Sequence, residues 1–356
     1  MPCGTANQEP TSADGSQMFP PLTRQDVLNC MFSSWYEKLS RVTFKSVIIK
    51  PLEPSFIEYL ASDGIVLPED EEAPKYRNNI KDDSSDDGSG WSDDEEDLED
   101  QSKPLKTIVN IDATSMAIRE AIDKLGGKVF PRMNWSAPTD ATWMTCDNSL
   151  QCRSLSEVLI VLKGSDKISE DIDGTQFLSK QEMGDWEHEL VLRQWCNLYP
   201  SMEFRCFVRN KTLVAVSQIE MQYYEFLESM EDKIESSIQR LFDRHICSQF
   251  ESENYCFDVY ITQEDGRTFV IDFKPMCDKV DSCLYLWQEI LAVKEDESLG
   301  LRLFPDSLDG MRHYSNKFSR SQFPKDLDGE GLNTSITEFI KKMTLKQAAE
   351  EDEQSE

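Results

Sequence analysis

The chain has 356 residues, of which 39% are hydrophobic and 18 are phenylalanine, so it can form one large globular domain or two smaller ones. Its formal net charge of -30 disfavours a broad electrostatic grip on nucleic acid. The charge is uneven, because residues 68–102 contain 15 acids and three bases, residues 347–356 contain five acids and no base, and the remainder carries -13.

The cysteines and histidines indicate the cellular compartment and the absence of a sequence pattern for a metal site. The ten cysteines form no C-x-x-C pair, and several lie in apolar strand patterns, which favours free thiols in a reducing compartment. The three histidines share no metal-ligand spacing. No apolar run approaches transmembrane length, and the first residues lack the regions of a signal peptide. We expect a cytoplasmic protein that binds no membrane and no nucleic acid directly and is monomeric alone.

The N-terminal part predicts a disordered extension, a helix and a strand. Residues 1–21 are rich in small polar residues and proline. Thr23 and Asp26 form a capping-box pattern for a helix that continues to Leu39. The β-branched run of residues 42–49 predicts a strand, and Pro54 opens a short helix.

Residues 68–102 predict an acidic disordered insertion. From Asp82 to Asp100 there are 11 acids and no base, so the segment cannot bury enough apolar area to offset its chain entropy. Trp91 and Ser92 within it suggest an interaction element or a substrate for an acid-directed kinase, and a purely solvating segment is the simpler alternative.

The middle of the chain alternates helices and strands. Residues 115–125 predict a helix that ends at two glycines, and a short strand leads into the loop Pro131–Pro138. In that loop Arg132 could meet a phosphate, and Trp135 could stack on a ligand or pack in the core. Ser154 and Glu157 predict the start of another helix.

Three strands and a long helix follow. Residues 187–195, 203–208 and 212–218 predict strands, and residues 222–246 predict an amphipathic helix that covers the sheet. Arg205, on an otherwise apolar strand, needs an anionic partner, which is either Glu203 or a bound phosphate.

Residues 255–275 predict a β-hairpin with an acidic pair. A three-residue loop at 264–266, with Gly266 in the left-handed conformation, would place Asp258 directly opposite Asp272. Opposed carboxylates lie roughly 5 Å apart at their Cβ atoms and repel unless a cation separates them. That cation could be Mg²⁺ or the nearby Lys274, and the hairpin alone favours a sheet face that is salt-bridged or merely solvated.

The C-terminal part is less informative. We expect a helix over residues 281–291, irregular structure over 295–330, a last helix from Thr334 to Met343, and an acidic tail over 344–356. The chain contains no internal repeat and no P-loop, G-x-S-x-G or H-E-x-x-H motif.

Several segments together resemble the cell division cycle protein 123 family. They occur in the order of that family and span roughly residues 24–343. The segments are FSSWYEKLSRVTFKSVII (32–49), WSDDEE (91–96), VFPRMNWSAP (129–138), ELVLRQW (189–195), EFRCFV (203–208), FDVY (257–260) and VIDFKP (270–275).

The resemblance implies an α+β, ATP-grasp-like fold in which two α+β subdomains with mainly antiparallel sheets enclose a nucleotide cleft. Residues 22–343 would form this domain, interrupted by the insertion 68–102. It further implies an ATP-dependent assembly chaperone for eukaryotic translation initiation factor 2, a role in the cell cycle, and binding to the γ subunit of that factor to promote joining of the other subunits.

The same resemblance implies the site residues. Asp258 and Asp272 would be Mg²⁺ ligands, with Lys274 as third element of the metal and phosphate site. ATP would be bound by a set of twelve residues: Arg132 at a phosphate, Trp135, Ser136 and Ala137 lining the site, Val191, Leu192 and Arg193 on a strand edge facing the adenine, Arg205 and Gln218 facing the phosphates or ribose, and Asp258, Asp272 and Lys274.

Two positions depart from the family pattern. Arg132 stands where the family has Lys, which keeps the charge but alters reach and geometry. Lys274 stands where the family has Asn, and a protonated lysine has no lone pair for a metal. Lys274 could therefore occupy the place of one Mg²⁺ and contact phosphate, or could abolish metal binding.

Two other functions stay open. One is an ATP-grasp ligase that forms an acyl-phosphate, a chemistry that needs two metals or equivalents to offset phosphoryl charge. The other is a scaffold that has lost nucleotide binding. No catalytic residue is assigned, and ATP hydrolysis is left undecided.

Overall fold

The computed structural model describes residues 19–65, 67, 111–145, 147–294 and 297–306. The extension up to residue 18, the insertion 68–102 with Trp91 and Ser92, the helix at 334–343 and the acidic tail all lie outside these residues. The division into a domain of residues 22–343 with two tails is therefore still a prediction.

The described residues contain ten α-helices and eight strands. The helices are α1 (Arg24–Asn29), α2 (Phe32–Leu39), α3 (Pro54–Ala61), α4 (Asp112–Lys124), α5 (Leu155–Lys163), α6 (Asp166–Asp173), α7 (Lys180–Met183), α8 (Glu225–Glu228), α9 (Glu231–Leu241) and α10 (Trp287–Ala292). The strands are β1 (Ser46–Ile49), β2 (Val129–Arg132), β3 (Leu190–Gln194), β4 (Glu203–Arg209), β5 (Thr212–Gln218), β6 (Tyr255–Ile261), β7 (Thr268–Pro275) and β8 (Leu301–Arg302).

The strands form two sheets. The smaller has the order β1-β3-β2 with both pairs antiparallel, and the larger has the order β7-β6-β4-β5-β8 with only β5 and β8 parallel. The chain passes from one sheet to the other just before β1, where Thr43 bridges Val270 on β7. The predicted α+β class with mainly antiparallel sheets is confirmed.

Each sheet has its own apolar core. The helices α3, α4 and α5 cover the small sheet, with Phe56, Ile118 and Val158 fully buried. The helices α1, α2 and α9 cover the large sheet, where Phe273 stacks on Phe250 at a ring-centroid distance of 4.2 Å. The side chains of both cores come from one apolar stripe of each helix and from an alternate set of residues on the strands.

The predicted capping box at the N-terminus is present. Thr23 Oγ1 accepts a hydrogen bond from Asp26 N, and Thr23 N donates to an Asp26 carboxylate oxygen. The predicted single helix is interrupted at Cys30 and Met31, giving α1 and α2. The break lets Phe32 N, at the start of α2, donate to the carbonyl oxygen of Asn134 in the loop after β2.

The hairpin places Asp258 opposite Asp272, as predicted, but by a different route. Residues 259–261 pair one position out of the expected register, because the connection is longer than three residues, with Thr262 N donating to Arg267 O. A β-bulge next to Asp258 then restores the register. Gly266 has φ +66°, so its left-handed conformation is confirmed.

Other predicted elements differ at their ends. The strand expected at 42–49 begins at Ser46, the long helix at 222–246 is divided into α8, α9 and a π-helical turn at Phe242–Ile246, and the helix at 281–291 is reduced to α10. The irregular stretch after residue 295 contains β8, and α6 and α7 were not predicted. In the part of the chain that is described, no helix is long and apolar enough to cross a membrane.

Candidate functional site

A cleft of about 870 Å³ lies between the two sheets. Its lining combines charged side chains with aromatic and aliphatic ones, drawn from strands of both sheets and from the loops around them. The lining residues are Phe44, Phe130, Arg132, Trp135, Ser136, Ala137, Thr139, Lys167, Gln176, Arg193, Gln194, Trp195, Cys196, Asn197, Leu198, Glu203, Arg205, Ile219, Asp258, Ile271, Asp272, Lys274, Asp281 and Cys283.

Asp258 on β6 is held by Arg205 on the neighbouring strand β4. The Nε–Oδ1 distance is 2.7 Å and the Nη2–Oδ2 distance is 2.9 Å, which is a bidentate pair. Burial alone would raise the pKa of Asp258, but Arg205 and Lys274 outweigh it and hold the pKa below its usual range. Arg205 therefore pairs with Asp258, where the sequence predicted Glu203 or a bound phosphate as its partner.

Asp272 on β7 is held from the other sheet. Its Oδ1 lies 2.8 Å from Nη1 of Arg132, the last residue of β2. The guanidinium of Arg132 also donates from Nη2 to the carbonyl oxygen of Trp135, and it lies over the Phe32 ring at 5.3 Å. An ion pair between the sheets thus closes the inner end of the cleft.

Lys274 lies between the two carboxylates. Its Nζ is 2.6 Å from Asp258 Oδ2 and 3.4 Å from Asp272 Oδ2, and the side chain is 25% exposed. Two residues apart on one strand, Asp272 and Lys274 share a face, which brings the ammonium group to the opposed pair.

Arg193 is a buried guanidinium with spare hydrogen-bonding capacity. Its Nη1 donates to Ile271 O at 2.8 Å, whereas its buried Nη2 has no partner among the described residues. The group lies between the rings of Phe32 and Phe44, at 5.6 and 5.3 Å from their centroids. Burial and the nearby Arg132 lower the pKa of Arg193 to about 10, which leaves it cationic at neutral pH.

A buried carboxylate on α6 fixes the loop after β2. Asp171 accepts hydrogen bonds from Asn134 Nδ2 at 2.6 Å and from the backbone N–H groups of Trp135 and Ser136 at 2.9 and 2.7 Å. Burial raises the pKa of Asp171 to about 6 despite these donors. Asn134 Oδ1 in turn accepts from Glu189 N, so the loop is tied to the entry of β3.

Lys167 and Glu203 are two of the titratable cleft side chains that were not assigned to the site from the sequence. Lys167, near the start of α6, donates from Nζ to Thr139 Oγ1 at 2.7 Å, and burial lowers its pKa. Glu203 begins β4, and burial together with Asp258 raises its pKa to about 7. Only the alternation along β4, which puts Glu203 on the face of Arg205, could have indicated its place.

The structure brings nine of the twelve predicted nucleotide-binding residues to the cleft and leaves three outside it. Trp135 is 3% exposed and donates from Nε1 to Val27 O, so most of its ring packs in the core. Gln218 is fully buried, with Nε2 donating to Gln222 O and Oε1 accepting from Phe304 N. The side chains of Val191 and Leu192 belong to the two apolar cores.

The expectation that Val191, Leu192 and Arg193 form a strand edge is wrong. β3 is the central strand of its sheet, and Val191 pairs with Ile48 on one side and Arg132 on the other. The ladders of a central strand occupy its backbone N–H and C=O groups, so they are not available to a ligand. The chain just beyond β3, residues 195–198, lines the cleft instead.

The predicted magnesium ligands fit a metal poorly. Mg²⁺ needs near-octahedral oxygen ligands at about 2.0–2.1 Å. Each carboxylate oxygen of Asp258 and Asp272 lies within 3.4 Å of a nitrogen of Arg132, Arg205 or Lys274. Of these four oxygens, only Asp272 Oδ1 accepts no hydrogen bond from the described residues, and it lies 2.8 Å from Arg132 Nη1. Within the described ranges, no group of three or more His, Cys, Asp and Glu side chains is placed to hold a metal ion.

The fold and the cleft define a class of α+β protein in which two mainly antiparallel sheets enclose a cationic, partly apolar cavity. The D123 family model matches residues 35–329, and the chain therefore belongs to the D123 family. The match confirms the resemblance to the cell division cycle protein 123 family.

Individual relatives agree with this assignment. The chain is 37% identical to a translation initiation factor eIF2 assembly protein of Aspergillus fumigatus over 78% of this chain and 66% of that protein. It is also 37% identical to the protein of the same name from Xenopus tropicalis, over 76% of this chain and 79% of that one. The structure of Cdc123 from Schizosaccharomyces pombe matches with a TM-score of 0.64 and 31% identity, covering 81% of this chain and 100% of that chain.

Proposed function

We propose that this chain is an ATP-binding assembly chaperone for translation initiation factor eIF2. It binds ATP in the cleft between the sheets, binds the γ subunit of eIF2, and promotes joining of the other subunits in the cytoplasm. The role in eIF2 assembly is supported by the relatives, which carry the name eIF2 assembly protein.

Nucleotide binding is supported by one observation: the same cleft contains cationic side chains and an apolar wall. Among the described residues, Arg193 Nη2 is buried without a hydrogen-bond partner, and Lys167 Nζ donates one hydrogen bond where an ammonium group can donate three. Phe44, Phe130 and Trp195 form apolar lining close by. A planar base and a triphosphate need this combination of an apolar face and convergent donors.

Calorimetric titration with ATP tests the nucleotide part. We expect affinity in the micromolar range, on the order of −8 kcal/mol at about 1 μM. Lys167→Ala should weaken binding by about 10-fold or more, because it removes a cation from the cleft. The control is Lys180→Ala, whose side chain is 75% exposed and pairs only loosely with Asp173. If ATP produces neither binding heat nor a thermal shift, the chain does not bind ATP, and the scaffold without nucleotide binding is the remaining alternative.

Purified eIF2 subunits test the assembly part. We expect this chain to capture the isolated γ subunit and to increase the yield of the complete complex when the other two subunits are added with ATP. The same yield with and without this chain would contradict the proposal. ADP formation measured in the same mixtures separates this function from a ligase, which requires turnover stimulated by a small carboxylate or amine.

A further inference from the structure

Lys274 occupies the position in the cleft where both carboxylates of the opposed pair converge. Its Nζ is within ion-pair distance of Asp258 Oδ2 and of Asp272 Oδ2. Both carboxylate groups are about nine-tenths buried, at 7% and 10% exposure, whereas the lysine side chain is 25% exposed. The ammonium group therefore faces the carboxylates on one side and the open cleft on the other.

The charges around the pair are already balanced without a metal. Arg205 neutralises Asp258, Arg132 neutralises Asp272, and Lys274 adds one further positive charge between them. A divalent cation in the same place would lie within a few ångströms of three fixed cations, and like charges at such separations repel strongly in a buried site.

The ammonium group can also do what the metal would do for a phosphate. Lysine Nζ carries three N–H donors, and two are directed at Asp258 and Asp272. No acceptor among the described residues takes the third, which leaves it for an anion entering from the cleft. Lysine is a common phosphate ligand of this kind, acting as a compact point charge.

We infer that Lys274 Nζ is a built-in replacement for a divalent cation, so that this cleft binds a nucleoside triphosphate without metal. The inference rests on the proposed nucleotide-binding function and specifies the cofactor requirement of that site. It assigns Asp258 and Asp272 to holding Lys274 and gives them no part in coordinating Mg²⁺.

The wild-type protein provides the first test, and it needs no variant. ATP is titrated calorimetrically in excess EDTA and, separately, in excess Mg²⁺. We expect dissociation constants that agree within about 3-fold. Binding that is lost or weakened by about 10-fold or more in EDTA overturns the inference but leaves nucleotide binding intact. No binding in either buffer overturns both the inference and the nucleotide part of the proposed function.

Lys274→Asn provides the second test, because it replaces the cation with a neutral oxygen donor. We expect this variant to lose affinity for ATP in EDTA by about 10-fold or more and to recover it when Mg²⁺ is added. Its control is Lys180→Asn, which alters an exposed lysine outside the cleft. A Lys274→Asn protein that melts as cooperatively as the wild type and binds ATP equally well in EDTA contradicts the inference.

Mn²⁺ supplies a readout that does not depend on nucleotide. Electron paramagnetic resonance of Mn²⁺ titrated into the free protein should show one more tightly bound ion in Lys274→Asn than in the wild type, because Asp272 Oδ2 loses its cationic neighbour in the variant. Equal Mn²⁺ binding by the two proteins would overturn the inference. Should Lys274→Asn fail to fold, the wild-type comparison in EDTA and Mg²⁺ decides alone.

Discussion

Arg205 and Asp258 form a buried, bidentate ion pair between neighbouring strands, with Nε–Oδ1 and Nη2–Oδ2 distances of 2.7 and 2.9 Å. The two residues are directly opposite each other in the β4–β6 ladder. The remaining guanidinium nitrogen of Arg205, Nη1, donates to Asp281 O, so the side chain also holds the segment after β7. The pair is thus both the floor of the cleft and a link between the large sheet and the chain that follows it.

Arg205→Ala should destabilise the protein strongly. Removing one partner of a buried pair leaves a charge without compensation and costs about 3–5 kcal/mol. Lys274 would retain one contact with Asp258, which places the expected loss of unfolding free energy toward about 3 kcal/mol. Urea denaturation measures it. Lys38→Ala, which breaks the exposed pair with Glu251, is the control and should change the midpoint far less.

Glu203 should make stability fall with rising pH. Its pKa is about 7 in the folded chain against an ordinary value of 4.5, so between these values the folded state binds more protons than the unfolded state. The contribution is present below about pH 4.5 and is lost as pH rises through about 7, a change of at most about 3 kcal/mol. Glu203→Gln should remove it.

The measurement for Glu203 compares urea unfolding of wild type and Glu203→Gln at about pH 4.5 and about pH 8. The variant should gain stability relative to the wild type at the higher pH. If the variant and the wild type differ in unfolding free energy by the same amount at both pH values, Glu203 is not the source of the pH dependence. Glu228→Gln on α8, which lies outside the cleft, is a control for the loss of one acid.

Asn134→Ala should loosen the loop after β2. The Asn134 amide donates to Asp171 and accepts from Glu189 N, and the side chain is fully buried. Leaving buried groups unsatisfied costs about 1–3 kcal/mol each, more where one is charged. We expect a loss of about 3 kcal/mol in urea denaturation and weaker ATP binding, because Trp135 and Ser136 lose their fixed position. Gln239→Ala, at an exposed amide bonded to Asp243, should have neither effect.

Phe273→Ala should destabilise the large-sheet core. The ring is 1% exposed, stacks on Phe250 and lies 5.1 Å from Trp35 between centroids. Phenylalanine to alanine in a packed core costs about 3–5 kcal/mol. Thermal and urea unfolding measure the loss, and Phe226→Ala, at 37% exposure, is the matched control. A small effect at Phe273 would show that the core can collapse into the cavity.

The hairpin rule predicted the pairing of Asp258 with Asp272 correctly, but it predicted the connection between the strands incorrectly. The alternation of residues 255–275 predicted the strands, and Asp258 is opposite Asp272. The predicted loop, however, was too short, and the β-bulge compensates for the extra residue. A bulge sets two residues of one strand against one residue of its partner, and neither strand alone shows which residues will face each other.

The sequence by itself determined most of the helices and strands, the opposed carboxylates and the family. Periodicity, caps and turn residues act over a few positions, and they are therefore readable along the chain. Only the tertiary structure decided that Arg132 pairs with Asp272 across 140 positions of sequence, that Asp171 fixes the loop after β2, and that Lys167 reaches the cleft. These contacts depend on how two sheets pack, and packing joins residues that no local pattern connects.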